Sequence, residues 1–368
     1  MDATRRVCVV ALFLAPTPLA AEDQATASLS VYADDDQATV SSPRASAHLD
    51  LSERVAVRAG YDADVITAAT VDVRTSATPR AFEDTRHAGA LGADLKLDRS
   101  TELGVSARGS TENDYDLVGG SLLVSRDFLD RTLTLTADYG IEYSLVGRTG
   151  DPTFAESLWG QRASAGATVV LDRRTVASLS YTLGVLAGYQ ASPYRFVPIY
   201  SADPSAQGRP VFVPERLPSV RERHAVALEV RRALDRELFV AGRLTGYVDG
   251  WGMTAGTLQT ELERELLSGR LAVRAHGRGY VQGAARFHEE RYETLPEAPR
   301  NASADRELGR MWSLMGGASI DTRVARGRRS GELWLRAGVD LLRFEYLDFA
   351  ALDGRTAWLF ALGATGRM

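Results

Sequence analysis

Hydrophobic and polar residues alternate singly along most of this chain. In 132–143, TLTLTADYGIEY, the residues Leu133, Leu135, Ala137, Tyr139, Ile141 and Tyr143 share one parity, and Thr132, Thr134, Thr136, Asp138 and Glu142 share the other. Leu103, Val105 and Ala107 alternate in the same way with Glu102, Ser106 and Arg108. So do Leu271, Val273 and Ala275 with Arg270, Arg274, His276 and Arg278. A helix would spread such residues around its circumference, whereas an extended strand sorts them onto two faces. The period predicts strands, each long enough to cross a bilayer, for which ~9–11 tilted residues suffice.

The connections between these blocks fall into two groups. One is short and carries a repeated tripeptide: Leu97-Asp98-Arg99, Leu129-Asp130-Arg131, Leu171-Asp172-Arg173 and Leu234-Asp235-Arg236, with Leu51-Ser52, Leu267-Ser268-Gly269 and Arg326-Gly327 in equivalent places. The other is longer and richer in Pro, Gly, Asn and Asp, around 67–85, 111–115, 146–158, 191–219, 286–308 and 346–355. Asp34-Asp35-Asp36 and Gly250-Trp251-Gly252 are its two short members. Short and long alternate strictly, as in an up-and-down sheet with tight turns at one end and variable loops at the other. Aspartate favours the turn, so each tripeptide reads as a hairpin closure. The expected fold is all-β: a transmembrane antiparallel up-and-down β-barrel of about 16 strands, within a range of roughly 14–18. An even count puts both termini at the short-turn end.

Composition narrows the class. Of 368 residues 45% are hydrophobic and 25% charged, with a net charge of −5. This excludes a disordered chain and gives no dominant basic face for nucleic acid. Arg5-Arg6, the apolar stretch 7–15 and Leu19-Ala20-Ala21 follow the order of a cleaved secretory signal. Residues 1–21 are therefore expected to be a signal peptide and 22–368 the barrel. The single cysteine, Cys8, falls inside that signal, which leaves the mature chain without thiol chemistry. No later run approaches the ~18 apolar residues of a spanning helix. A soluble periplasmic β-protein would share the alternation but not the lopsided connections, so a bacterial outer membrane is the expected location. Trp159, Trp251, Trp312, Trp358, Tyr143 and Tyr189 all lie at loop-side strand ends, where such rings favour the bilayer interface. Trp334 is an exception on the polar parity of its strand.

The stretch Ser30-Val31-Tyr32-Ala33-Asp34-Asp35-Asp36-Gln37-Ala38-Thr39-Val40-Ser41-Ser42-Pro43 resembles the opening of an uncharacterised bacterial family, domain of unknown function 3570. Val71-Asp72-Val73-Arg74-Thr75-Ser76-Ala77-Thr78-Pro79-Arg80, followed by Thr85-Arg86-His87, resembles a second block of that family. The resemblance implies an outer-membrane barrel, with membrane lipid and the barrel-assembly machinery as partners. It brings no activity and no site residues. Barrels of this kind usually end in an aromatic residue; this chain ends Gly366-Arg367-Met368, with Trp358 and Phe360 earlier in the last strand.

Charge on the lipid face costs ~2–4 kcal/mol for arginine at the midplane, so the charged parity should face the lumen. The lumen-lining candidates are Arg58, Asp62, Asp94, Glu102, Arg108, Asp138, Glu142, Arg162, Arg270, Arg274, His276, Arg278, Arg336 and Asp340. Asp64 and Lys96 share that parity. These charges either pair to brace the wall or line a water-filled channel for a small solute. Arg270, Arg274, His276 and Arg278 form the best anion-contacting face. Asp34, Asp35 and Asp36 are the densest carboxylates, read chiefly as a turn and secondarily as a Ca2+ site. The proline-rich 191–219 loop either folds inward as a constriction or stands outward as a spacer. No Gly-x-Ser-x-Gly elbow, phosphate-binding loop or His-Glu-x-x-His helix is present, so no catalytic step is expected. Nothing marks an oligomer interface. A closed barrel predicts heat-modifiable migration: in detergent electrophoresis the folded chain should run at a different position from the boiled chain, and identical mobility would count against it.

Overall fold

The structure, a computed structural model, describes residues 23–68, 82–200, 210–294, 300–327, 331–349 and 351–368; the expected signal peptide lies outside them. The strands are β1 (Gln24–Asp34), β2 (Ala38–Asp50), β3 (Val55–Ala68), β4 (Phe82–Lys96), β5 (Thr101–Thr111) and β6 (Tyr115–Phe128). Next come β7 (Leu133–Val146), β8 (Glu156–Asp172), β9 (Thr175–Gly188), and the short β10 (Phe196–Ile199) and β11 (Val211–Pro214). The chain closes with β12 (Val220–Ala233), β13 (Leu238–Asp249), β14 (Thr254–Leu266), β15 (Leu271–Gln282), β16 (Met311–Arg326), β17 (Glu332–Tyr346) and β18 (Gly354–Arg367).

Sixteen of these strands make one closed antiparallel ring, with β9 beside β12 and β18 beside β1. The seam runs from Gln24↔Arg367 at the short-turn end to Asp34↔Ala357 at the loop end, so the first and last strands pair along their length. Closure is what lipid requires, because no water is available there for an open edge. The count and the even-numbered topology agree with the alternation read from the sequence. β10 and β11 form a separate hairpin within the 191–219 connection.

The two parities separate as expected. Leu29, Leu91, Val105, Val118, Leu135, Leu179, Leu244, Leu258, Leu314 and Phe360 stand exposed on the outside. Trp159 and Trp358 do likewise near the loop end, with Tyr143 at 4.7 Å from Trp159. Trp251 departs from the expected interface position. It is buried, with the Arg221 guanidinium 4.1 Å from its ring and its Nε1 donating to the Val220 carbonyl at 3.0 Å. The tight turn after β13 tips the ring inward, where Met253, Ala285 and Leu308 cover it. Trp334 faces inward at the short-turn end, between the guanidiniums of Arg323 and Arg367 at 5.7 and 5.5 Å.

All four Leu-Asp-Arg copies close hairpins, but in different geometries. Asp98 Oδ1 accepts from the Ser100 N–H at 2.7 Å, Asp172 Oδ1 from the Arg174 N–H at 2.7 Å, and Asp235 Oδ1 from the Glu237 N–H at 2.7 Å. Leu129-Asp130-Arg131 instead takes φ values of 50°, 52° and 65°, the left-handed conformation also adopted by Leu267-Ser268-Gly269. Backbone donors from Ser100 and Glu237 hold the Asp98 and Asp235 carboxyls below their ordinary range. A depressed carboxyl contributes stability above its unfolded pKa and loses it as pH falls through the folded one. Asp98→Ala and Asp235→Ala should therefore lower the denaturant midpoint at neutral pH. The difference from the parent should shrink as pH drops below about 4.

Candidate functional site

The inward parity places most of the expected residues in the lumen and pairs them along the wall. Arg58 bonds Asp94 at 2.7 Å, Arg86 bonds Asp62 at 2.7 Å, and Arg162 reaches Asp138 at 2.8 Å. Arg108 pairs with Glu142, and Glu102 lies beside Lys96 in register. On the opposite wall Arg274 bridges Glu263 and Asp321, Arg336 bonds Asp321 at 2.7 Å, and His276 meets Asp340. Among the described residues Arg278 has no carboxylate partner; its guanidinium lies 5.2 Å from the Tyr280 ring. Arg270 departs from the expected face. It sits in the turn before β15, exposed at the short-turn end, because the strand begins one residue later.

The register supplies a feature that single strands do not. Arg108, Gly119 and Glu142 stand opposite one another on β5, β6 and β7, so the ion pair spans two strands over a glycine. His276, Gly317 and Asp340 repeat the arrangement on β15, β16 and β17. A Cβ on Gly119 would meet the Ile141 carbonyl at 2.8 Å and Glu142 Cγ at 2.9 Å. Inward glycines continue around the ring. Glu142 is flanked by Gly119 and Gly160, and Arg162 by Gly140 and Gly184. The result is a wall of bare backbone between paired charged side chains. It encloses a recess of about 260 Å³ lined by Tyr115, Glu142, Ser144, Leu158, Gly160, Leu186 and Arg223.

The lumen has two regimes. Along the strands Arg58, Arg108 and Arg162 are about half exposed, so the space around them is not filled by protein. At the loop end Arg221 and Arg355 are buried and ion-paired with Asp249 and Asp34. Two long connections lie across this end. The β10–β11 hairpin meets the segment before β16 through Ile199↔Tyr292 and Arg216↔Ala302, with Val197, Tyr292 and Ala302 forming a small core. A polar chain then crosses the mouth. Tyr194 donates to Asp114 at 2.5 Å, Arg195 pairs with Asp305, and Arg306 reaches Asp36 at 3.1 Å. Burial and the Asp114 bond raise the Tyr194 phenol. Burial also lowers the His288 imidazole in the same layer, with Asp348 opposing. The described parts of the 191–219 loop, 191–200 and 210–219, thus take the inward course of the two readings.

The three adjacent aspartates diverge. Asp34 accepts from Tyr32 and the Ala38 N–H, both at 2.8 Å, Asp35 accepts from the Thr356 N–H at 2.9 Å, and Asp36 holds Arg306. Among the described residues no cluster of three or more His, Cys, Asp or Glu is arranged around a cation. Asp321, Glu263 and Arg86 are site residues missed in the sequence, although their parity marks them. The glycine slots and the Arg306–Asp36 contact carry no such mark, because register and loop course create them. Gly119→Val should destabilise the barrel by ~1–3 kcal/mol through overpacking. Gly242→Val, at a position whose Cβ meets nothing within 4 Å, should leave it close to the parent. Thermal loss of the heat-modifiable band measures both.

The fold is similar to that of a bacterial polysaccharide outer membrane secretin, with a TM-score of 0.50 and 11% identity over 94% of this chain and 98% of that one. CdiB from Acinetobacter baumannii gives 0.48 and 9% over 93% and 60%, and the CymD monoaromatic hydrocarbon channel 0.44 and 8% over 94% and 88%. At such identities the likeness is one of fold, and that fold is the outer-membrane barrel. No curated protein matches the chain in sequence. One family model matches residues 68–334, a span that takes in 71–80 and 85–87 but not 30–43. That span is well over half of the chain, which therefore belongs to the family described as Protein of unknown function (DUF3570).

Proposed function

We propose that this barrel is an outer-membrane channel or binding protein that takes a small solute through its charged lumen without a catalytic step. The observation that carries this reading is the half-exposed state of Arg58, Arg108 and Arg162 inside a closed sixteen-stranded ring. A ring of this size leaves an aqueous interior when its wall residues do not fill it. Here the charges lie along the wall in pairs, and inward glycines lower that wall between them. The route runs along β6–β9, beside the recess.

A second reading has its own support. The chain of contacts from Asp114 through Tyr194, Arg195, Asp305 and Arg306 to Asp36 spans the mouth, and a permanent bar there would make the barrel a plugged, partner-docking protein. Conductance separates the two. Refolded protein in planar bilayers should show discrete channel events, and Tyr194→Phe with Arg195→Gln should increase the time spent open. A complete absence of events from both parent and variant would sink the channel reading and leave the plugged one.

A further inference from the structure

We infer that the lumen presents positive charge to its axis and selects for anions, and that the recess on β6–β9 takes small carboxylates with an aliphatic body. This deepens the channel reading and rests on it.

The chain as a whole is acidic, with a net charge of −5, yet the charges that face the lumen are not displayed equally. Arg58 and Asp94 side chains are 47% and 14% exposed, Arg108 and Glu142 55% and 32%, Arg162 and Asp138 52% and 19%, and Arg336 and Asp321 43% and 13%. Among the described ion pairs between lumen-facing strand residues, the carboxylate is never the more exposed partner. The cause is side-chain length. When both partners are rooted on one wall, arginine carries its charge further toward the axis than aspartate or glutamate does. Where the arginine is the more exposed partner, as in these four pairs, the pair is a dipole with its positive end inward, and low-dielectric walls focus such a field on a passing ion. Arg278, which has no carboxylate partner among the described residues, adds to the same sign. Glu261 and Glu102 work against it, but each lies in register beside a basic residue, His276 and Lys96.

The recess gives this field a place to act. Gly184 stands between Arg162 and Arg223 in register; the Arg162 guanidinium turns to Asp138 on β7, and Arg223 is the arginine that lines the recess. Glu142, the recess carboxylate, is already held by Arg108, and the Tyr115 hydroxyl is spent on Ser144 at 2.7 Å. Leu158 and Leu186 supply an aliphatic floor beside Gly160. A carboxylate head fits against Arg223 while a short alkyl tail covers the leucines. Arginine is suited to such a head because its planar fork matches a carboxylate in a bidentate way.

The test is bilayer recording of the full protein in a KCl gradient, followed by addition of potassium acetate or potassium hexanoate. Chloride should be favoured over potassium severalfold, and Arg108→Gln with Arg162→Gln should bring the permeability ratio close to unity. Hexanoate should reduce the current at severalfold lower concentration than acetate, and Arg223→Gln should abolish that difference. The heat-modifiable band reports whether each variant is folded before it is recorded. Conductance with cation preference would overturn the inferred anion selectivity while leaving the channel reading intact. Equal block by acetate and hexanoate in the parent would overturn the recess as a binding site. Absence of conductance altogether would instead remove the channel reading beneath both.

Discussion

Everything in this molecule depends on the requirement that backbone N–H and C=O groups in lipid be paired within the protein. A sheet meets it only by closing, and here β18 returns to β1 over eleven registered positions from Gln24↔Arg367 to Asp34↔Ala357. Closure fixes an inside and an outside. Alternation along each strand then assigns every residue to one of them, which is why a period of two is the dominant signal in the chain. It also brings Gln24 and Arg367 together at the short-turn end.

Inside the ring the same geometry sets a second problem, since charged side chains from sixteen strands share one lumen. The solution seen here is lateral. Arg58, Arg108 and Arg162 lie against the wall beside their partners rather than crossing the barrel, and glycines at 119, 140, 160, 184 and 317 clear the space. Ion pairs laid flat in this way contribute little to stability where they remain exposed to solvent. They do fix how far each charge stands out from the wall.

The loop end follows a different logic. Arg221, Arg306 and Arg355 are buried there with aromatic rings and carboxylates around them, and the connections that carry Tyr194, Arg195 and Asp305 tie distant strands together. Burying a guanidinium is costly unless it is paired, so these contacts hold the loops in a defined position across the mouth. Strand wall and mouth thus use the same residue types for opposite ends: half-exposed arginines along the wall and a packed, polar layer above.

The sequence by itself determined the barrel, its strand number to within about two, the side of the turns, and the parity that sets residues such as Asp138, Glu142, Arg274 and Asp340 apart from the apolar face. Each of these follows from local alternation or from the spacing of turn residues. Four Leu-Asp-Arg copies marked hairpins correctly, although the sequence did not distinguish the left-handed turn at 129–131 from the aspartate-capped ones. Only the tertiary structure decided that Trp251 is buried, that Arg270 belongs to a turn, and that the aspartates at 34–36 serve separate partners. It alone placed Gly119 between Arg108 and Glu142, and Gly317 between His276 and Asp340. The reason is that alternation is a property of one strand, whereas a site inside a barrel is made by register between strands and by the course of loops across its end.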